Sequence, residues 1–172
     1  MDSKYDMYFF DESRFGTHSN IGYGWFKRGK TRDNLRYKLG YKNFYLYSSV
    51  NPINGDNFSL IMPNVNTDNF NVYLKHFSKH LKEQNRKALF VMDGAGWHKS
   101  KDLIKFDNIE FIIQPSYSPE LNPIEKLWQY IKRHTIKNKV FKTLNDIEKE
   151  LCKFLQNMTI EDYKSVCNVK YI

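Results

Sequence analysis

Two short apolar runs, each closing on an aspartate, constrain this chain more than any other feature. Met7-Tyr8-Phe9-Phe10 leads into Asp11, and Lys87-Ala88-Leu89-Phe90-Val91-Met92 leads into Asp93. Neither run has helical spacing, so each predicts a buried strand that delivers a carboxylate at its end. A third run, Ile109 to Ile113, ends near Pro115 and is predicted to lie parallel to the second. In open α/β sheets ligands bind outside the carboxyl ends of the strands, so Asp11 and Asp93 are expected to converge although 82 positions separate them.

The remaining pattern supplies the rest of a mixed sheet and its helices. Asn43 to Val50 and Asn57 to Met62 are aromatic and β-branched and flank the turn signal Asn51-Pro52-Ile53-Asn54-Gly55, which predicts paired antiparallel strands. The period then changes: Phe70, Tyr73, Leu74, Phe77 and Leu81 recur at helical spacing behind the cap candidates Thr67 and Asp68. A second helix is predicted from Asn122 through Ile124, Leu127, Trp128, Ile131 and Thr135, and a third after Thr143 through Leu144, Ile147, Leu151 and Leu155. Gly16, Gly22, Gly24 and Gly29 punctuate a basic, aromatic stretch in which Ile21 to Lys30 reads as a hairpin or loop tipped by Trp25. The expected class is α/β, a mixed sheet with helices packed on it.

Composition bounds the function. The 172 residues carry a net charge of +8, which favours a polyanionic partner, nucleic acid or an acidic surface. At 41% hydrophobic and 16% aromatic the chain can fill a core, which excludes wholesale disorder. It reads as one ordinary domain, residues 1–172. No apolar run approaches a membrane span, and the charged start Met1-Asp2-Ser3-Lys4 is unlike a signal peptide, so a soluble cytoplasmic protein is expected. Cys152 and Cys167 lack zinc-ligand spacing and read as reduced structural residues.

Carboxylates converging on a sheet edge suit hard, oxygen-preferring cations such as Mg²⁺. Glu125, in the first turn of its helix and on the flank of the apolar stripe, is the third candidate ligand. Each acid also has a plainer reading. Asn122 and Glu125 have the spacing of a capping box, and an Asp after a strand is commonly a turn residue. His76 and His80 share a helix face but lack the Glu of a metalloprotease helix, so they read as solvated. His98, five residues past Asp93, orients a ligand, touches phosphate or is an ordinary loop histidine.

Basic residues concentrate as well. Lys126, Lys132, Arg133, Lys137, Lys139 and Lys142 fall within 17 positions that contain no acidic residue, which predicts a phosphate-facing surface. Trp25 beside Lys27, Arg28, Lys30 and Arg32 offers stacking and phosphate contacts together, or is a structural hairpin aromatic.

Three blocks now resemble a known family: Phe9-Phe10-Asp11-Glu12-Ser13-Arg14-Phe15-Gly16, Asp93-Gly94-Ala95-Gly96-Trp97-His98-Lys99-Ser100, and Tyr117-Ser118-Pro119-Glu120-Leu121-Asn122-Pro123-Ile124-Glu125-Lys126-Leu127-Trp128. They are similar, in order, to the catalytic domain of DDE-superfamily transposases, in the bacterial insertion-sequence branch related to mariner elements. The resemblance implies a ribonuclease-H-like fold with helices on both faces of the sheet. Asp11, Asp93 and Glu125 would bind two Mg²⁺ or Mn²⁺ ions for DNA cleavage by water and strand transfer by the freed 3′-hydroxyl. The implied partners are DNA, namely element ends and target, and further copies of the chain. Glu12 is set aside as a ligand because successive strand side chains point to opposite faces.

Three departures from the family pattern stand out. Gly94 replaces the Asn that usually follows the second Asp. Thirty-one residues separate Asp93 from Glu125, somewhat fewer than usual, which implies a trimmed loop between about Lys99 and Asn108. Ten residues precede Asp11, where the family carries helix-turn-helix domains. The expectation is a separately encoded catalytic half with a helix-turn-helix subunit as partner, a frameshift product, or a truncated remnant. The rival functions are an idle DNA-binding or dimerising remnant and a generic ribonuclease-H-like nuclease.

Overall fold

A computed structural model describes residues 5–18, 40–115, 118 and 121–169 of the chain. Five strands form one sheet: β1 (Asp6–Gly16), β2 (Asn43–Val50), β3 (Asn57–Met62), β4 (Ala88–Met92) and β5 (Ile109–Ile113). Their spatial order is β3-β2-β1-β4-β5. β1 is central, antiparallel to β2 and parallel to β4, and β5 runs parallel to β4 as the apolar runs predict. The β2–β3 pair is antiparallel, with Asn51 Oδ1 accepting from the Ile53 and Asn54 amides to shape the connecting turn.

The alternation of side chains along β1 divides the core in two. Tyr8 and Phe10 face α1 (Thr67–Glu83), meeting Phe70, Tyr73, Leu74, Phe77 and Phe90 in a largely aromatic cluster. Phe15 faces the opposite layer, built from α2 (Ile124–Thr135), α3 (Leu144–Asn157) and α4 (Ile160–Val166). Burying each such side chain contributes about 1.5–3 kcal/mol, enough for the two layers to fix strand register. Helices therefore cover both faces of the sheet.

Helix starts differ from the sequence reading in instructive ways. The N-cap of α1 is Asn66, whose Oδ1 accepts from Asn69 N at 2.8 Å, so Thr67 and Asp68 lie inside the first turn. Thr143 caps α3 as expected, in a box with Asp146. A second such box, Thr159 with Asp162, starts the short helix α4, which the apolar pattern does not announce. The predicted hairpin around Trp25 lies outside the described residues, as do Lys27, Arg28, Lys30 and Arg32.

Candidate active site

Asp11 sits on the central strand, on the face that meets α2. Trp128 Nε1 donates to its Oδ2 at 2.8 Å. Burial pushes the Asp11 carboxyl up to about 7; the indole hydrogen bond opposes this, and the neighbouring carboxylates of Glu12 and Glu125 reinforce it. Asp11 and Glu125 are thus close enough to repel across the β1–α2 junction. A half-buried carboxyl beside another acid is the electrostatic setting that a divalent cation relieves.

The capping-box reading of Glu125 does not hold. Pro123, at the N-cap position of α2, has no side-chain acceptor to cap with. The Asn122 Oδ1 accepts from the Ile124 amide at 3.3 Å, while its Nδ2 is turned into the core, donates to the Phe10 carbonyl at 3.2 Å and ties the helix start to β1 beside Asp11. That bond, with the buried Ile124, Leu127 and Trp128, sets the helix so that the Glu125 charge acts on Asp11.

Asp93 follows β4. Phe9 pairs with Val91 in the parallel register, and two further steps along both strands put Asp93 level with Asp11. Its carboxylate is 61% exposed. Oδ1 accepts from the Ala95 amide at 3.0 Å and lies 2.8 Å from His98 Nδ1, while Oδ2 has no hydrogen-bond partner among the described residues. Among the described residues, no group of three or more His, Cys, Asp or Glu side chains is gathered to hold a metal ion as it stands. What the fold places together is the Asp11–Glu125 pair, with Asp93 one strand away at the same level.

His98 departs from its reading as a phosphate contact. It is buried in the 3₁₀ turn Gly96–Lys99, with its ring 4.7 Å from Phe70 and 5.7 Å from Phe10. Its Nε2 lies 3.2 Å from Glu12 Oε1, and Trp97 Nε1 donates to the same oxygen at 3.1 Å. Burial works against a charged His98 ring, but the hydrogen bond and charge of Glu12 and the charge of Asp93 outweigh it and raise the pKa above the usual 6.5. Glu12 does point to the opposite face from Asp11, as strand geometry requires, yet it is linked to Asp93 through this histidine. Sequence spacing did not reveal that link, because Glu12 and His98 are 86 positions apart. Gly94 leaves space that Lys99 fills: its Nζ lies 2.6 Å from where a Cβ at position 94 would stand.

The basic run folds into one groove of about 750 Å³ lined by Lys126, Lys132, Arg133 and Lys137, with Tyr130 at its wall. Lys132 reaches toward the acids, its Nζ 5.6 Å from the Phe15 ring centre; burial lowers its pKa, and the charges of Glu125 and Asp11 pull the other way. Lys139 is diverted from the groove, bonding Glu150 of α3 at 2.6 Å, an acid that inspection of residues 126–142 could not anticipate. The two helix histidines also part company. His76 is exposed, whereas His80 is half-buried and lies 3.2 Å from Asp56 Oδ2, far from any solvated-face role.

A family model for DDE superfamily endonucleases matches residues 6–148 of the chain. The uncharacterized protein y4pE/y4sA of Sinorhizobium fredii (strain NBRC 101917 / NGR234) is 29% identical over 120 residues, 70% of this chain and 88% of its own length. The Tc3 transposase of Caenorhabditis elegans is 31% identical over 105 residues, 58% of this chain and 32% of its length. The crystal structure of the mariner Mos1 paired end complex with Mg superposes with a TM-score of 0.71 at 15% identity, covering 96% of this chain and 52% of that one. The chain therefore spans about a third of the Tc3 protein and half of the Mos1 chain, and the Mos1 likeness establishes a shared ribonuclease-H-like fold.

Proposed function

The chain belongs to the DDE superfamily endonucleases, and from that premise we propose that it is the catalytic module of a transposase, cleaving DNA at the ends of a mobile element and joining the freed 3′-hydroxyl to a target. The observation that carries the reading is the Asp11 carboxyl: raised by burial, repelled by Glu125 and gripped by Trp128 midway along the central strand, level with Asp93. These three acids are the proposed ligands for a pair of Mg²⁺ or Mn²⁺ ions. Such ions, when bound, activate the attacking oxygen and stabilise the leaving one in phosphodiester chemistry.

The chain's own residues divide the remaining work. Trp128 fixes Asp11, and the Asn122 bond to Phe10 fixes the start of the helix that carries Glu125. Lys132, Arg133 and Lys137, with Lys126 at the same groove, hold phosphates of the strand being cut, and Tyr130 offers an aromatic face. No side chain serves as a nucleophile, so no covalent enzyme intermediate forms. Action on paired DNA ends by more than one copy of the chain is supported by the fold shared with the Mos1 paired end complex.

Nicking of supercoiled DNA by the purified chain tests the reading. Mg²⁺- or Mn²⁺-dependent cleavage is expected, and Asp93→Asn abolishes it while salt-sensitive DNA binding persists, because affinity comes mostly from Lys and Arg on phosphate. Undiminished nicking by that variant removes Asp93 from the chemistry. DNA binding without nicking by the unaltered chain identifies an idle remnant.

A further inference from the structure

We propose that His98 is a positioning residue, carried on the buried Glu12, that holds the Asp93 carboxylate so that its second oxygen is presented to a cation. The proposal rests on the metal-dependent reading above and adds two residues to it. Both ring nitrogens of His98 face carboxylate oxygens, Asp93 Oδ1 at 2.8 Å and Glu12 Oε1 at 3.2 Å. An ionised carboxylate only accepts, so with both acids charged each nitrogen donates. The His98 side chain is 1% exposed and the Glu12 side chain 6%, whereas Asp93 is 61% exposed.

The chain therefore places a buried acid where an apolar side chain would cost less, and covers it with two donors, Trp97 Nε1 and the histidine. The same Nδ1 also lies 3.2 Å from the Asp93 backbone carbonyl, so one ring nitrogen meets both the main chain and the closer carboxylate of Asp93. Here the linkage runs from the central strand, through an imidazole wedged against Phe10 and Phe70, to the one acid of the three that stands on a loop.

The result is a division of labour within Asp93. Oδ1 is occupied by the imidazole and the Ala95 amide; Oδ2 has no hydrogen-bond partner among the described residues. Ligating carboxylates are themselves hydrogen-bonded in metal sites, and loss of such a partner typically weakens metal affinity about 10–100-fold. Asp11 is held in the same manner by Trp128. Each of the two aspartates is thus oriented by one ring nitrogen from a different element.

The test is Mn²⁺ binding by the full chain, read from the spin-resonance signal of free Mn²⁺, beside nicking kinetics and a thermal melt. His98→Asn and His98→Gln separate the two bonds, because an Asn amide reaches the place of Nδ1 and a Gln amide that of Nε2. His98→Asn is expected to keep Mn²⁺ affinity near that of the unaltered chain. His98→Gln is expected to weaken it about 10-fold or more and to lower kcat with little change in the KM for DNA. Glu12→Gln, which keeps an acceptor in the core, falls between them. Equal Mn²⁺ affinity in folded His98→Gln and the unaltered chain overturns the proposal, as does loss in His98→Asn alone, the order that a purely structural bond to Glu12 would give. Absence of Mn²⁺ binding by the unaltered chain, or its survival in Asp93→Asn, defeats the metal-dependent reading itself and with it the role of His98.

Discussion

Trp128 Nε1 donates to Asp11 Oδ2 at 2.8 Å from a position three residues beyond Glu125 on the same helix. One helix thus carries both the acid that repels Asp11 and the donor that steadies it. The indole bond favours the ionised carboxylate. Trp128→Phe keeps most of the packing and removes the donor. Unfolding by urea above pH 7 should then show a loss of about 1–3 kcal/mol, and the acid limb of the nicking profile should move to higher pH. An unmoved acid limb would mean that Trp128 only fills space.

Asp11 also sets a pH dependence of stability. Its folded pKa, about 7, lies above the ordinary 3.8. The stabilising contribution of the protonated form is fully present below about pH 4 and is lost as pH rises through 7. Asp11→Asn carries no charge and still offers an oxygen to Trp128. Without divalent ions the variant is expected to exceed the unaltered chain at pH 8 by at least about 1 kcal/mol, one pKa unit's worth, with the gap closing toward pH 4. Mg²⁺ should narrow the pH 8 gap by stabilising only the unaltered chain. Thermal melts across that range, with and without Mg²⁺, check both statements. A gap independent of pH would contradict the account.

The groove beside α2 makes a salt prediction. Replacing Lys132, Arg133 and Lys137 by Ala should flatten the dependence of DNA affinity on salt by up to about three phosphate contacts, with little change in sequence preference. Binding isotherms at several salt concentrations measure the slope. An unchanged slope would move the phosphate track elsewhere, to the Trp25 and Lys27 to Arg32 region.

Much of this was legible in the residues. A buried strand through Asp11 and one ending just before Asp93 follow from apolar runs without helical period, but β1 does not end at Asp11: it runs on to Gly16, because it stays paired with β2 up to Gly16↔Asn43. β2, β3 and β5 match their predicted spans because cross-strand burial and a clear turn signal act together. The starts of α1 and α2 were less legible, since several neighbouring polar residues could cap and only tertiary contacts decide. Asn122 serves two elements at once, its Oδ1 accepting from the Ile124 amide at the start of α2 and its Nδ2 donating to the Phe10 carbonyl, and Glu125 takes no part in a capping box. Helix α4 is short and its one buried residue within the helix, Tyr163, gives no period, so only the Thr159–Asp162 box marks it. At the site, residue types and spacing suggested the acids, whereas the Glu12–His98–Asp93 linkage depends on a fold contact between β1 and a loop that no local pattern encodes.

The central claim is that Asp11, Asp93 and Glu125 share one pair of divalent ions, and a crystal of the chain soaked in Mn²⁺, read by anomalous scattering at the metal edge, tests it most directly. The account predicts Mn²⁺ beside Asp11 in the middle of β1 and at the end of β4, two ions about 4 Å apart when DNA is bound, with oxygens of all three carboxylates as ligands and Asp93 Oδ1 still on His98. Mn²⁺ held elsewhere, or bound with any of the three carboxylates turned away from it, would contradict that claim.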